Sequence, residues 1–302
     1  MQQWILIRGE NKDNPVLFWL HGVPGSAQIP IHHAYTKDLE KEFVVVHWDQ
    51  RGAGKSNHSG FQEETMSLKR FILDTHEVTQ YLKKQFDREK IYLLGHSWGT
   101  LLGIHVVKQN PADYHAFISV SQVVDPASAD SISWNWLQEK VQESDSPDQI
   151  KALEELGGPP FKEHERFVRF IRMVDTFGGG MDAGFGQLLW KSLGASEYTL
   201  PDYIRWFKGA NRGSGPMWNE TRNIDLFSTI DSLTIPMYFF TGINDYNTPY
   251  SLVRKYYRFL KAPDGKYLVT FDHSAHTPFI AEQEKFKEEV IRVKEEMEKR
   301  IP

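Results

Sequence analysis

Residues 91–100 read Ile91-Tyr92-Leu93-Leu94-Gly95-His96-Ser97-Trp98-Gly99-Thr100. The first four form a short apolar run of strand type, and from Thr100 to Gln109 the pattern turns helical. Between them lies a Gly-x-Ser-x-Gly turn, so the spacing predicts strand, sharp turn, helix. A serine in such a turn sits in strained backbone, and its flanking glycines are needed because side chains would clash there. The following helix directs its dipole and free N–H groups at the serine, which favours negative charge. A chance Gly-Ser-Gly turn would have neither the strand before it nor the helix after it. Ser97 is therefore the candidate nucleophile.

Outward from this turn, short apolar runs alternate with amphipathic segments. Strands are expected at residues 4–7, 16–20, 43–48, 91–94 and 116–120, with helices near 31–39, 68–86 and 100–109. Alternation with continuous apolar strands means a mostly parallel sheet with helices on both faces. From about Gln122 to Ile230 the strand signals vanish. Helical segments punctuated by Gly157-Gly158-Pro159-Pro160 and Gly178-Gly179-Gly180 take over, and aromatic residues crowd in. Strands return at 236–241 and 267–271, and one amphipathic helix from about Thr277 to Arg300 is expected to close the chain. The simplest division is an α/β core made of residues 1–121 and 231–302, with residues 122–230 inserted as a helical cap. Most of the cap's rings are expected to pack its own small core, with a few facing the site.

A nucleophilic serine needs a base, and the base needs an orienting acid. Asp245 follows the run 236–241, at the strand end where ligands gather in parallel sheets. His276 follows the run 267–271 and stands just before the last helix. Asp125 and His273 are the rivals for these two roles; Asp245 and His276 are preferred. His21-Gly22-Val23-Pro24-Gly25 directly follows the run 16–20. A loop of that composition can aim a main-chain N–H at a reacting carbonyl oxygen, and losing one such donor typically costs about 10²–10³ in rate. The expected oxyanion donors are the N–H groups of Val23 and Trp98.

Composition removes several function classes. With no cysteine, a disulfide, a thiolate metal site and a Cys nucleophile are excluded. The formal net charge of −5 gives no reason to expect nucleic acid or an anionic membrane as partner. No apolar run is long enough to span a bilayer, and no signal-like segment opens the chain. A cytoplasmic protein is the expectation. No metal or organic cofactor is required by the chemistry. Trp48-Asp49-Gln50-Arg51-Gly52-Ala53-Gly54-Lys55-Ser56 superficially suggests a phosphate loop, but only one residue separates its glycines. It is read as a structural loop, with Asp49 and Arg51 in local hydrogen bonds.

Taken together, these motifs occur in the order seen in α/β-hydrolases, and Trp-Asp-Gln-Arg-Gly with Ser-Trp-Gly most resembles the proline iminopeptidase branch. The resemblance implies an eight-stranded sheet and removal of an N-terminal residue, typically proline, from short peptides. It also implies cap carboxylates that bind the substrate's free ammonium; Glu197, Asp202 and Glu220 are the candidates, with Trp218 as a wall of the pocket. Two positions depart from the family pattern: Val23 stands where a second glycine is usual, and His96 where glycine often precedes the serine. The expected activity is thus a serine hydrolase acting on small amides or peptides. The alternatives are a carboxylesterase, lactonase or thioesterase for a small apolar acyl group, and a non-catalytic ligand-binding module, against which the intact Ser, Asp and His argue.

Overall fold

The strand β4 (Ile91–His96) is buried at all six positions, and its side chains divide between two cores: Ile91 and Leu93 on one face, Tyr92 and Leu94 on the other. Such alternation requires layers on both sides of the sheet. The computed structural model describes residues 1–300 and supplies both layers. The strands are β1 (Trp4–Arg8), β2 (Val16–Leu20), β3 (Val44–Asp49), β4, β5 (Tyr114–Val120), β6 (Met237–Gly242) and β7 (Lys266–Phe271), in the order β1-β3-β2-β4-β5-β6-β7. β1 runs antiparallel to β3, Trp4 opposite Asp49; every other pairing is parallel.

The sheet has seven strands, not the eight implied by family resemblance. Among the described residues, the seven apolar runs of the sequence are the seven strands. On one face lie α2 (Leu68–Gln85), α3 (Trp98–Gln109) and α11 (Tyr250–Phe259). On the other, α13 (Gln283–Glu298) docks Phe286, Val290, Val293 and Met297 against the sheet. The single closing helix expected from Thr277 is broken in two. A short α12 (Pro278–Ala281) carries Phe279, and Glu282 leaves the helical region at φ −125°, ψ 58°. Its side chain accepts the His273 N–H at 2.9 Å.

After α1 (Ile29–Tyr35), α2 and α3, the chain between β5 and β6 is helical. It forms α4 (Pro126–Ser144), α5 (Pro147–Leu156), α6 (His164–Thr176), α7 (Phe185–Ser192), α8 (Leu200–Arg212) and the short α9 (Trp218–Thr221) and α10 (Leu226–Thr229). Starts are marked by local chemistry: Asp125 accepts the N–H groups of Ala127 and Ser128 at the head of α4, and Thr199 with Asp202 forms a capping box on α8. Phe161, Phe170, Leu137, Val141 and Trp218 make a separate small core among these helices. Trp206 and Tyr198 pack instead against Ala27 and Ala53 of the loops that follow β2 and β3, and against Ile29 at the start of α1.

Candidate active site

Ser97 has φ 53° and ψ −119°, a conformation rarely open to a residue with a Cβ. Its neighbours show why the turn demands glycine. A Cβ on Gly95 would strike the Gly99 carbonyl oxygen, and one on Gly99 would strike the Leu20 carbonyl oxygen. Gly22 lies as close: a Cβ there would stand 3.1 Å from Ser97 Cβ and 3.0 Å from His96 Nδ1. Main chain of the β2 loop thus abuts the serine. Val23 follows with φ 31°, and Trp98 is the first residue of α3, so its N–H has no partner inside the helix. Val23, Ser97 and Trp98 all line one cavity of about 420 Å³.

Gln50 joins the two sides of this arrangement. Its side-chain amide donates to the His21 carbonyl at 3.1 Å, and its side-chain carbonyl accepts the Trp98 indole N–H at 3.0 Å. Its own N–H reaches His21 Nε2 at 3.3 Å, so His21 carries its proton on Nδ1, which donates to the Gly22 carbonyl at 2.6 Å. Burial lowers the pKa of His21 to about 4, keeping it neutral. Asp49 is held locally, accepting the Lys55 N–H at 2.8 Å and, through its carbonyl, the Ser56 hydroxyl at 2.6 Å, and partners distant in the chain add to this. Asp49 accepts the Tyr198 hydroxyl at 2.6 Å, and Arg51 grips Asp74 of α2 with two bonds of 2.9 and 3.0 Å.

His276 Nδ1 donates to Asp245 Oδ2 at 2.9 Å, and both side chains are buried. Asp245 is fixed in turn by the N–H groups of Asn247 and Thr248, each at 2.8 Å, and by the Thr248 hydroxyl at 2.6 Å. Burial disfavours the imidazolium, but the charge and hydrogen bond of Asp245, with the charges of Asp175 and Asp182, outweigh it and raise the His276 pKa above its ordinary value. The His276 carbonyl accepts from His96 Nε2 at 3.0 Å and from the Ser121 hydroxyl at 2.9 Å. His276 lines the same cavity as Ser97. Of the rivals, His273 is exposed, and Asp125 lines the cavity but is engaged in capping α4.

Asp182 has no signal in the sequence beyond a glycine-rich neighbourhood. It accepts the N–H groups of Ala275 and Thr277, both at 2.7 Å, the Thr277 hydroxyl at 2.9 Å and the Ser274 hydroxyl at 3.0 Å. The same segment holds the His276 N–H through the Gly180 carbonyl and the Tyr246 N–H through the Gly179 carbonyl. The loop between α6 and α7 therefore clasps both loops that carry Asp245 and His276.

The structure places all three carboxylates expected to bind the ammonium outside the lining of the cavity. Glu197 is ion-paired with Arg8, and Glu220 accepts the Leu68 N–H at the head of α2; neither lines the cavity. Asp202, engaged in its capping box, does not line it either. Trp218 does. The carboxylates in the wall are Asp125, Asp130 and Asp175, facing a surface otherwise dominated by Leu101, Val123, Phe167 and Ile171. Among the described residues, no group of three or more His, Cys, Asp or Glu is arranged to hold a metal ion, and no helix is long and apolar enough to cross a membrane.

A mostly parallel sheet with a strained serine turn after its central strand defines an α/β-hydrolase. Residues 12–147 match the family model described as serine aminopeptidase, S33. Over 295 residues the chain is 33% identical to a probable aminopeptidase, YbaC, of Bacillus subtilis, covering 96% of this chain and 92% of the relative. It is 26% identical to a proline iminopeptidase of Heyndrickxia coagulans over 281 residues, 92% of this chain and 89% of that one. A solved proline iminopeptidase from Mycobacterium smegmatis superposes with a TM-score of 0.66 at 16% identity, over 98% of this chain and 95% of that one. The chain belongs to the serine aminopeptidase S33 family of α/β-hydrolases and is most similar to its proline iminopeptidase branch.

Proposed function

We propose that this hydrolase is an aminopeptidase that removes the N-terminal residue of short peptides through a serine acyl-enzyme, with residues 122–230 acting as the cap over its site. The observation that carries the reading is the shared cavity: Ser97 and His276 line it together with the carboxylate of Asp175. Asp175 and His276 perturb each other's ionisation, so this carboxylate stands within electrostatic reach of the reacting centre. An ammonium two bonds from the scissile carbonyl carbon would find its counter-charge there. The names of the relatives point the same way.

In the first half of the reaction His276 takes the Ser97 proton as the hydroxyl oxygen attacks the peptide carbonyl. The negative charge that forms on the carbonyl oxygen is met by the N–H groups of Val23 and Trp98. His276 then gives its proton to the leaving amine, and the carbon–nitrogen bond breaks. In the second half His276 takes a proton from water, whose oxygen attacks the acyl-enzyme, and returns it to Ser97. Asp245 holds the tautomer with its proton on Nδ1 and stabilises the imidazolium.

The apolar walls would also suit the acyl group of a small ester, and one pair of assays separates the readings. An aminopeptidase cleaves prolyl or other aminoacyl naphthylamides and fails on their N-acetylated forms. Turnover confined to short p-nitrophenyl esters, with no amide cleavage, overturns the proposal in favour of an esterase.

A further inference from the structure

Among the described residues, Arg222 is the only lysine or arginine that lines the cavity. Its guanidinium lies over the Trp218 ring, 4.3 Å from the centroid. Its nearest counter-charge, Asp130 Oδ2, is 3.5 Å from Nη2, an ion-pair distance too long for a strong hydrogen bond. Nη1 is buried and has no hydrogen-bond partner. Both side chains are largely withdrawn from water, at 16% and 7% exposure. A desolvated cation with an idle donor is costly unless something completes its shell. Its counterpart at the other charged positions is different: Asp125 is engaged in capping α4, and Asp175 accepts the Met181 N–H at 3.0 Å.

We propose that Arg222 is the receptor for the free α-carboxylate of the substrate, which makes dipeptides the preferred class. This deepens the aminopeptidase reading and rests on it. The Trp218 ring packs against the guanidinium, and a guanidinium offers N–H groups in a planar fork that matches a carboxylate with two parallel bonds. Asp130 is a loose partner that holds Arg222 in place when the cavity is empty, and burial raises its pKa to about 7, which weakens its repulsion of an incoming anion. A cavity of about 420 Å³ with an ammonium receptor near the triad and a carboxylate receptor in its wall suits a substrate that carries both charges. A longer or C-terminally blocked peptide would bring no carboxylate to Arg222.

The test uses binding, so that it stands apart from turnover. In the Ser97→Ala protein, calorimetric titration compares Pro-Leu with Pro-Leu amide. The free acid is expected to bind at least about tenfold tighter, the difference that charged hydrogen bonds supply. Adding Arg222→Gln is expected to bring the two affinities within about twofold. The ratio is internal to each protein and does not depend on how much of a variant folds. Equal affinities in the Ser97→Ala protein, no binding of either peptide, or a preference that survives Arg222→Gln overturns the inference. Failure of the aminopeptidase reading itself is seen separately, in the naphthylamide assay.

Discussion

Asp182 Oδ2 accepts both the main-chain N–H and the hydroxyl of Thr277, at 2.7 and 2.9 Å, one residue beyond His276. The bonds cross 95 residues of sequence and join the helical insertion to the loop after β7. The position of the imidazole is therefore set from the insertion side as much as from its own strand.

Replacing Asp182 by Asn removes the charge and half of the acceptor capacity. The loop loses its grip on at least one of four donors, and a shift of about 1 Å in a reacting group costs about 10² in rate. We expect kcat to fall by that order with a smaller change in KM. The charge of Asp182 also helps raise the His276 pKa, so the acid limb of the rate profile should move to lower pH in the variant. A purely structural role would lower the rate without moving that limb.

The acid limb of the parent enzyme follows from the same site. In the proposed mechanism neutral His276 is the working form, and its pKa lies above the ordinary 6.5 because the pull of Asp245 outweighs burial. As pH falls through that raised pKa the base is protonated and the rate drops. A kcat/KM profile should therefore show its lower inflection above pH 6.5. Asp245→Asn should cost about 10⁴ in kcat, because the amide no longer selects the tautomer with its proton on Nδ1. An inflection well below 6.5 would contradict the assigned pairing.

Gln50 spans the two sides of the expected oxyanion site through His21 and Trp98. Gln50→Ala frees the β2 loop from the head of α3 without touching the substrate. The expected loss in kcat is smaller than the roughly 10²–10³ that follows removal of a donor itself. Single-turnover acylation measures it directly; a kcat equal to that of the parent would show that the two segments hold their places unaided.

The strands and the loops at their ends are legible in the sequence because buried parallel strands are short apolar runs with few alternatives. That is why Ser97, Asp245 and His276 could be assigned to strand ends. The insertion is not legible in the same way. A helix-face carboxylate looks alike whether it faces water, a cavity or another helix, and the deciding partner is far away in the chain. Glu197 meets Arg8 at a separation of 189 residues, and Glu220 meets Leu68 at 152. Asp130, Asp175 and Arg222 line the cavity with no local pattern to announce it. The eighth strand came from resemblance alone, and the chain's own runs number seven.

Asp175 gives the sharpest division between binding and chemistry. Burial raises its pKa above the usual carboxylate value, opposed by the Met181 N–H, by the charge of His276 and by a hydrogen bond from Asn247. If it meets the substrate ammonium, Asp175→Asn should raise KM for aminoacyl naphthylamides by about ten- to a hundredfold, the worth of one charge-assisted contact. A short p-nitrophenyl ester carries no ammonium, so its KM should change far less. Losing the Asp175 charge also removes part of what raises the His276 pKa, so the acid limb should shift to lower pH with both substrates. Equal rises in KM for amide and ester would mean that Asp175 shapes the cavity rather than reading the amine, and the ammonium receptor would have to be sought at Asp130.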